Sequence, residues 1–437
     1  MLSQSLRVLI AAENTSAQFG GEAALALHYF RVMRGRGMDV WLVTHARTRA
    51  ELSALYPDDA RICYIEDTAL HRTLWRLGRW LPDRIAYLTT GFLSRVSTQI
   101  AQRSIVQRLV REHGISVVHQ PMPVSPREPS MLHGFGVPVL IGPMNGGMDY
   151  PPAFRRQQST ALRAVVWCGR AASHLMNRCM PGKRRAAALL VANRRTREAL
   201  PRGVSANVIE VVENGVDLAL WKQPPSRERA PGEIARFVFV GRLVDWKAVD
   251  LLLDAFATAC DRAPMSLLVI GAGAMAPALE QQARRLGIWG ADEGRAGQVH
   301  FTGWMQQSEC AVKLQMQDCL VLPSLMECGG AVVLEAMALG LPVIATAWGG
   351  PTDYLDASCG ILVEPTSRSA LIDGLADAMV RLAQSADLRL ALGRAGREKV
   401  VREFDWDTKV DRMIEIYRGV MQQRGIGGAV ADGVQAQ

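Results

Sequence analysis

The chain of 437 residues contains no run of 18 apolar residues, so no helix in it is predicted to cross a membrane. Its eight cysteines include no Cys-x-x-Cys pair and no Cys/His spacing, which excludes a zinc site or a disulfide frame as the organising feature. Reduced, mostly buried thiols in a cytosolic protein are expected instead. The opening MLSQSLRVLIAAENTS lacks the pattern of a signal peptide, and Arg7-Val8-Leu9-Ile10 reads as a first strand. No internal repeat or long low-complexity tract is present. Lysine is almost missing from the first half: residues 1–205 hold 27 Arg and one Lys, Lys183.

What is present is ordinary in amount and uneven in placement. The length calls for two domains, and 49% apolar with 21% charged residues suits a globular enzyme. Residues 1–205 carry 28 Lys and Arg against 13 Asp and Glu, and the remainder 22 against 29. A basic first half beside an acidic second half points to an anionic partner for the first: nucleic acid, anionic lipid or anionic sugar.

The most informative stretch runs from Leu320 to Tyr354. An apolar run ending at Pro323 reads as a buried strand, Glu327-Cys328-Gly329-Gly330 as a loop, Ala331–Leu339 as a helix ended by Gly340 and Pro342, and Val343–Thr346 as the next strand. That is one unit of a parallel sheet. Glu335 stands in a helix otherwise made of Ala, Val, Leu and Met, where a carboxylate is costly unless satisfied; a vicinal diol such as a ribose would satisfy it. Glu327 falls at the carboxyl end of a strand, the ligand side of open α/β sheets. Gly329 and Gly330 allow approach to bare backbone, and the amides of a helix start follow them.

Earlier elements repeat this rhythm. Strand Leu6–Ala12 leads through Phe19-Gly20-Gly21-Glu22 into a helix over Ala23–Arg34 and a strand over Met38–Thr44; the glycine pair serves either a phosphate or a plain turn. Residues 69–112 read as helical and basic, with Leu70, Leu74, Leu77 and Leu81 at helical spacing, Arg72, Arg76, Arg79 and Arg84 among them, and Trp75 and Trp80. This suits either a membrane-surface segment or a helix packed on its own domain, with Pro82 dividing it. Strand Ile115–His119 ends in His119-Gln120-Pro121, and strand Val137–Ile141 leads to Gly142-Pro143-Met144-Asn145-Gly146-Gly147; both loops fall on the ligand side, where His119 is either structural or catalytic and Asn145 and Gly146 are candidates for the acceptor side. Residues 155–197 are helical and Arg-rich, with a strand near Leu189–Ala192, and residues 208–217 are expected to open the second domain.

In the second half, strand Phe237–Val240 is followed by Gly241-Arg242-Leu243-Val244-Asp245-Trp246-Lys247 and a helix from Val249. Two cations at a helix start are what a diphosphate needs. Gly271-Ala272-Gly273-Ala274-Met275-Ala276 spells a short dinucleotide fingerprint, but no acidic residue ends a strand about twenty residues on. Asp405-Trp406-Asp407 spells DxD, yet it precedes a long helix and reads as an N-cap. No metal and no resident cofactor are expected.

Arg242-x4-Lys247, Gly271-x-Gly273, Phe301-Thr302-Gly303 and Glu327-x7-Glu335 together resemble the retaining glycosyltransferases of family 4. The Gly20-Gly21 loop, Glu213-Asn214-Gly215-Val216-Asp217 and Phe404-Asp405-Trp406 extend the resemblance over nearly the whole chain. It implies an α/β fold of the GT-B type: two Rossmann-like domains facing across a cleft, 1–208 on the acceptor side and 209–407 binding the donor, with a helix from about 408 to 437 crossing back. It implies that Arg242 and Lys247 clamp the donor diphosphate and that Glu335 binds the ribose. Glu327 would touch the donor sugar, with the amides around Gly330, Ala331 and Val332. Gly20 and Gly21 would close over the phosphates, and His119 would lie near the donor sugar. The base would sit near Gly303 and Trp304. Catalysis would rest on Glu327, His119, Arg242 and Lys247. Two positions depart from the family: Gly329 stands where an aromatic residue is common, opening space beside the donor, and Gln120 where some members carry Glu.

The implied reaction is metal-independent hexosyl transfer from a nucleoside-diphosphate sugar to a glycan or lipid-linked acceptor, with retention and without a covalent intermediate on Glu327. It would serve bacterial surface polysaccharide or glycolipid synthesis in the cytoplasm, on the inner face of the membrane where the basic domain meets anionic lipid, and involve no nucleic acid. Two other readings compete: a dinucleotide-dependent oxidoreductase using Gly271–Ala276, and a non-catalytic membrane-surface protein using the basic helices.

Overall fold

The computed structural model of the protein describes residues 6–81, 86, 89–157, 169, 172–223 and 233–434. Pro82 and Arg84 lie outside the described residues, as do 158–168 of the second basic segment and 224–232 of the polar loop. The chain divides into two compact units. The first takes Met1–Gly147, Ala161–Glu213 and Lys409–Gln437; the second takes Met148–Thr160 and Asn214–Thr408.

Seven parallel strands form the sheet of the first unit: β1 (Arg7–Ala11), β2 (Asp39–His45), β3 (Ile62–Ile65), β4 (Val117–Gln120), β5 (Val139–Met144), β6 (Ala188–Val191) and β7 (Val208–Glu210). Their order is β3-β2-β1-β4-β5-β6-β7. A parallel sheet covered on both faces needs strands apolar throughout, and β4, β5 and β6 are buried along their whole length. Helix α1 (Gly21–Gly35) joins β1 to β2 and buries Leu25, Tyr29, Phe30 and Met33. The basic stretch expected as one helical region is two helices, α2 (Ala69–Gly78) and α3 (Thr90–His113).

Residues 208–217 do not open the second unit as a block. Val208–Glu210 pairs with β6, Leu189 opposite Val208, and so satisfies a sheet edge of the first unit. The first unit continues to Glu213, while Met148–Thr160 belongs to the second.

The second unit holds six parallel strands: β8 (Ala235–Val240), β9 (Met265–Ile270), β10 (Val299–Gly303), β11 (Cys319–Leu322), β12 (Val343–Thr346) and β13 (Gly360–Val363). They run in the order β10-β9-β8-β11-β12-β13. Helices α4 (Val249–Cys260), α5 (Ala276–Arg285), α6 (Gln307–Gln315) and α7 (Ala331–Ala338) connect them, and Arg368–Gln384 and Ala386–Glu403 follow β13. The chain runs from β8 outward to β10 and then returns to β11 on the other side of β8. The direction of winding therefore reverses between β8 and β11, and the carboxyl ends of those two strands bound the crevice where open α/β sheets take ligands.

The last helix, α8 (Trp406–Val434), returns to the first unit from Lys409 onward. Val410, Met413 and Tyr417 are buried there, and Arg36 pairs with Asp411 at 2.5 Å. Among the described residues no helix is long and apolar enough to cross a membrane.

Candidate functional site

The loop leaving β8 carries the two predicted cations. The Arg242 guanidinium lies 5.7 Å from the centre of the Trp246 ring. Asp245–Lys247 make a single 3-10 turn, and Ala248 follows at φ 51°, a left-handed conformation that a non-glycine residue adopts only at a cost. The loop leaving β11 is tied to this turn because Leu325 donates its amide to the Trp246 carbonyl at 2.8 Å. The two loops thus bring Lys247 to Glu327, and the ammonium donates to the carboxylate. The Ser324 hydroxyl donates to the same oxygen at 3.3 Å. Both charged side chains are largely withdrawn from water, 14% and 13% exposed. Partly desolvated charges interact more strongly with an anion that enters beside them than fully hydrated ones do.

Beyond Glu327 the chain turns through Gly330, at φ 80°, into α7. A Cβ at Gly330 would lie 3.0 Å from Glu327 Cγ, so a side chain there would displace the carboxylate. The first amides of α7, including those of Ala331 and Val332, have no carbonyl a turn earlier and are free to meet an anion or hydroxyl. The loop keeps its shape through a second glycine pair. Gly350 donates its amide to the Glu327 carbonyl at 2.7 Å, and a Cβ on Gly350 would fall 2.2 Å from the Gly329 carbonyl. Gly349 and Gly350 were not singled out from the sequence, although a glycine pair after a strand was a signal used elsewhere in the chain. Gly329 is buried, with its carbonyl against Gly350, and Cys328 is the exposed residue of this loop.

Glu335 is half-buried on α7, and burial pushes its carboxyl up to about 7, opposed by the Gln307 amide. Gln307 donates that hydrogen bond at 3.2 Å from the first turn of α6. It too escaped the sequence reading, being one glutamine in a polar run. Three residues earlier Trp304 presents its ring to solvent, 72% exposed, after Gly303 at φ 77°. Gln307 therefore couples the Gly303-Trp304 turn to Glu335.

Gly271 and Gly273 have a packing role. A Cβ on Gly271 would fall 1.9 Å from the Gly241 carbonyl, and one on Gly273 would fall 2.3 Å from that of Leu243. Leu243 donates its amide to the Ala272 carbonyl at 2.9 Å. The glycines let the loop after β9 lie backbone against backbone on the loop that carries Arg242.

In the first unit the predicted residues are differently placed. His119 is fully buried within β4. Its Nε2 lies 2.6 Å from the Gly142 carbonyl and its Nδ1 2.7 Å from the Tyr417 hydroxyl, and burial lowers its pKa to about 4. The ring is neutral, donates from Nε2, accepts at Nδ1, and has no nitrogen left for a substrate. The expected catalytic role is replaced by that of a positioning residue joining β4, β5 and α8. Gln120 is buried and accepts from the Ser130 hydroxyl at 2.6 Å. Asn145 is also buried, donating to Glu213 at 2.8 Å while Thr196 donates to its carbonyl oxygen at 3.3 Å. Gly146 donates to Thr196 at 3.1 Å. These two positions shape a loop rather than offer a side chain to an acceptor. Gly20 and Gly21 stand exposed at the start of α1, with open space where a Cβ would be. Asp405 accepts from the amides of Trp406 and Asp407, an N-terminal cap. Among the described residues no group of three His, Cys, Asp or Glu could hold a metal ion.

Residues 224–399 match the family model of the glycosyl transferases group 1. The second unit is a group 1 glycosyl transferase domain. The D-inositol 3-phosphate glycosyltransferase of Saccharomonospora viridis is 32% identical over 225 residues, 49% of this chain and 51% of that protein. The GDP-mannose-dependent alpha-(1-6)-phosphatidylinositol monomannoside mannosyltransferase of Mycobacterium tuberculosis is 30% identical over 240 residues, 52% of this chain and 59% of that protein. The chain thus spans about half the length of the curated relatives it matches. Among solved structures, Alr3699/HepE of Anabaena in complex with UDP superposes with a TM-score of 0.61 at 14% identity, covering 95% of this chain and 100% of that one. That likeness shows the α/β fold of the chain to be of the GT-B type.

Proposed function

We propose that the protein is a retaining glycosyltransferase that moves a hexosyl group from a nucleoside-diphosphate sugar to a hydroxyl acceptor. The observation that carries this reading is the Lys247–Glu327 pair at the reversal point between β8 and β11, with Arg242 on the same loop. An incoming diphosphate competes with the Glu327 carboxylate for the ammonium. Arg242 and Lys247 then face the phosphates, where negative charge grows as the glycosidic bond breaks, which is where preorganised cations lower a barrier most. Glu327, released, accepts from sugar hydroxyls. A carboxylate that accepts from Ser324 and from sugar hydroxyls is a poor nucleophile, which favours same-face attack by the acceptor over a covalent intermediate. Glu335, once ionised, accepts from the ribose diol, and the exposed Trp304 ring offers a stacking face for the base. The cations supply the charge that a metal would otherwise bring, so the transfer is read as metal-independent.

The names of the relatives support a phosphate-bearing or lipid-linked alcohol as acceptor, and the Arg-rich first unit suits an anionic one. A glycan acceptor in surface polysaccharide synthesis belongs to the same class. The seven cysteines among the described residues form no disulfide with one another, which supports a reducing, cytoplasmic setting.

The test is release of nucleoside diphosphate from a panel of UDP-, GDP- and ADP-sugars with inositol phosphate, phosphatidylinositol and oligosaccharide acceptors. Acceptor-dependent release from one donor, with retained anomeric configuration in the product, is expected. Tighter binding of NADH than of every nucleoside diphosphate would reverse the reading toward an oxidoreductase.

A further inference from the structure

Helix α2 is anchored by one face only. Thr68 caps its start: the hydroxyl accepts from the His71 amide at 3.3 Å, and His71 Nδ1 accepts from the Thr68 amide at 3.1 Å. The other nitrogen of His71 meets the Thr98 hydroxyl of α3 at 3.1 Å. Leu74 lies one turn on and is buried, and Gly78 approaches Thr90 so closely that a Cβ would fall 2.8 Å from its hydroxyl. Residues 71, 74 and 78 therefore form the inward stripe.

The rest of the helix faces water with an unusual content for a solvated surface. Trp75 is 65% exposed and Trp80 89%, and Leu70 and Leu77 are more than half exposed. Arg72, Arg76 and Arg79 stand among them, and the helix contains no acidic residue. The Arg79 guanidinium lies 5.2 Å from the centre of the Trp75 ring. A groove of about 840 Å³ runs beside the helix, with Arg47 and Asp67 added to its walls. The ring of His45 is neutral, 3.4 Å from Asp67, and Arg47 pairs with Glu13 at 3.8 Å, which leaves Asp67 as the one carboxylate of the groove beside Arg72, Arg76 and Arg79. Large exposed apolar side chains are normal when scattered singly; two indoles and two leucines within eleven residues, interleaved with arginine, are a patch.

We infer that the outer face of α2 docks the protein on an anionic lipid bilayer. The chemistry is complementary at each level. Indole rings favour the headgroup region, leucine side chains enter the upper acyl layer, and arginines reach lipid phosphates while their stems cover apolar surface. A second copy would also cover apolar area but would set like charges against one another, since among the described residues no carboxylate pairs with Arg72, Arg76 or Arg79. The inference stands apart from the transferase reading, because it concerns a surface of the first unit and needs no turnover.

Flotation of the full chain with vesicles measures it. Vesicles of phosphatidylglycerol and phosphatidylcholine should carry the protein, vesicles of phosphatidylcholine alone should not, and raising salt to about 0.5 M should release it, since screening shortens the reach of exposed charges. Replacing Arg72, Arg76 and Arg79 together by Glu should lower partitioning about 100-fold or more, each basic residue near an anionic surface contributing about fivefold. Trp75→Ala with Trp80→Ala should lower it while leaving the salt dependence. Nucleoside-diphosphate binding to the second unit and the melting temperature report folding of each variant. If the Glu variant does not fold, the Gln variants at the same positions make the same test. Partitioning that ignores lipid charge, or survives both sets of substitutions, overturns the inference. So does a dimer that the Trp variants dissociate in a protein that floats with no vesicle.

Discussion

The two units set polar groups into their parallel sheets in opposite ways. In the first, three polar side chains at or after the ends of β4 and β5 are closed off by neighbours: His119 lies between Gly142 and Tyr417, Gln120 holds Ser130, and Asn145 holds Glu213. Lys183 is buried as well, its ammonium donating to the Ser125 carbonyl at 3.1 Å and to that of Pro126 at 2.6 Å, and burial lowers its pKa to about 7. In the second, Lys247 and Glu327 are paired but at the rim, and Glu335 is half-buried with one amide partner. A satisfied buried network fixes a backbone; a partly satisfied one at a strand end keeps hydrogen-bonding capacity for a ligand. Both kinds of residue look alike in a sequence.

The comparison breaks most sharply at Lys247. Lys247→Ala should lower kcat/KM for transfer by about 1,000-fold, the scale of losing one preorganised donor at developing charge. Activity within tenfold of wild type would show that the pair at the reversal point is only structural.

Glu335→Gln should move stability and binding in opposite directions. With the carboxyl raised from 4.5 to about 7, the folded chain holds a proton that the unfolded chain has released. Stability therefore falls as pH rises through that window, by about 1–3 kcal/mol once both states are ionised. The Gln variant should melt higher than wild type at pH 8, and near pH 4 the two should agree. Its affinity for nucleoside diphosphates should drop about tenfold at pH 8, where an ionised ribose acceptor is lost. Calorimetric titration at both pH values checks the pair of effects, and a variant that loses stability at pH 8 would contradict them.

Tyr417→Phe removes the donor to His119 and should cost about 1–3 kcal/mol of stability with donor affinity and kcat unchanged. A collapse of kcat with full stability would return His119 to the reacting groups. His119 also gives an acid limb. With its folded pKa lowered from 6.5 to about 4, the unfolded chain takes up the proton first, so stability is lost as pH falls from about 6.5 toward 4. His119→Asn should flatten that limb in pH-resolved denaturant melts.

The smallest effect concerns Ala248. At φ 51° the methyl group is strained, and Ala248→Gly should stabilise the second unit by about 1 kcal/mol. A loss of stability would mean that the entropy of the unfolded glycine outweighs the relief.

The second sheet was largely legible in advance because its strands are apolar throughout and its loops carry paired signals: Arg242 with Lys247, Glu327 with Glu335. The first unit was legible in its strands and not in its chemistry. His119 follows a strand pattern onto the ligand side of the sheet, yet the strand runs one residue further, to Gln120, and carries the ring inside. Gln307 had nothing at short range to mark it, because its partner Glu335 lies 28 residues on in another helix, whereas Gly349 and Gly350 carry the local mark of a glycine pair after a strand but meet a loop earlier in the chain.

The sequence by itself determined the periodicity of buried strands and amphipathic helices, hence two parallel-sheet units, and the residue types able to hold a diphosphate and a diol. Those follow from local patterning. Only the tertiary structure decided which polar groups remain available. That depends on contacts between residues far apart in the chain: Tyr417 reaching His119 across 298 positions, and Lys247 reaching Glu327 across 80. Whether a buried hydrogen-bonding group serves the fold or a ligand is settled by whether such a partner arrives, and no local rule encodes its arrival.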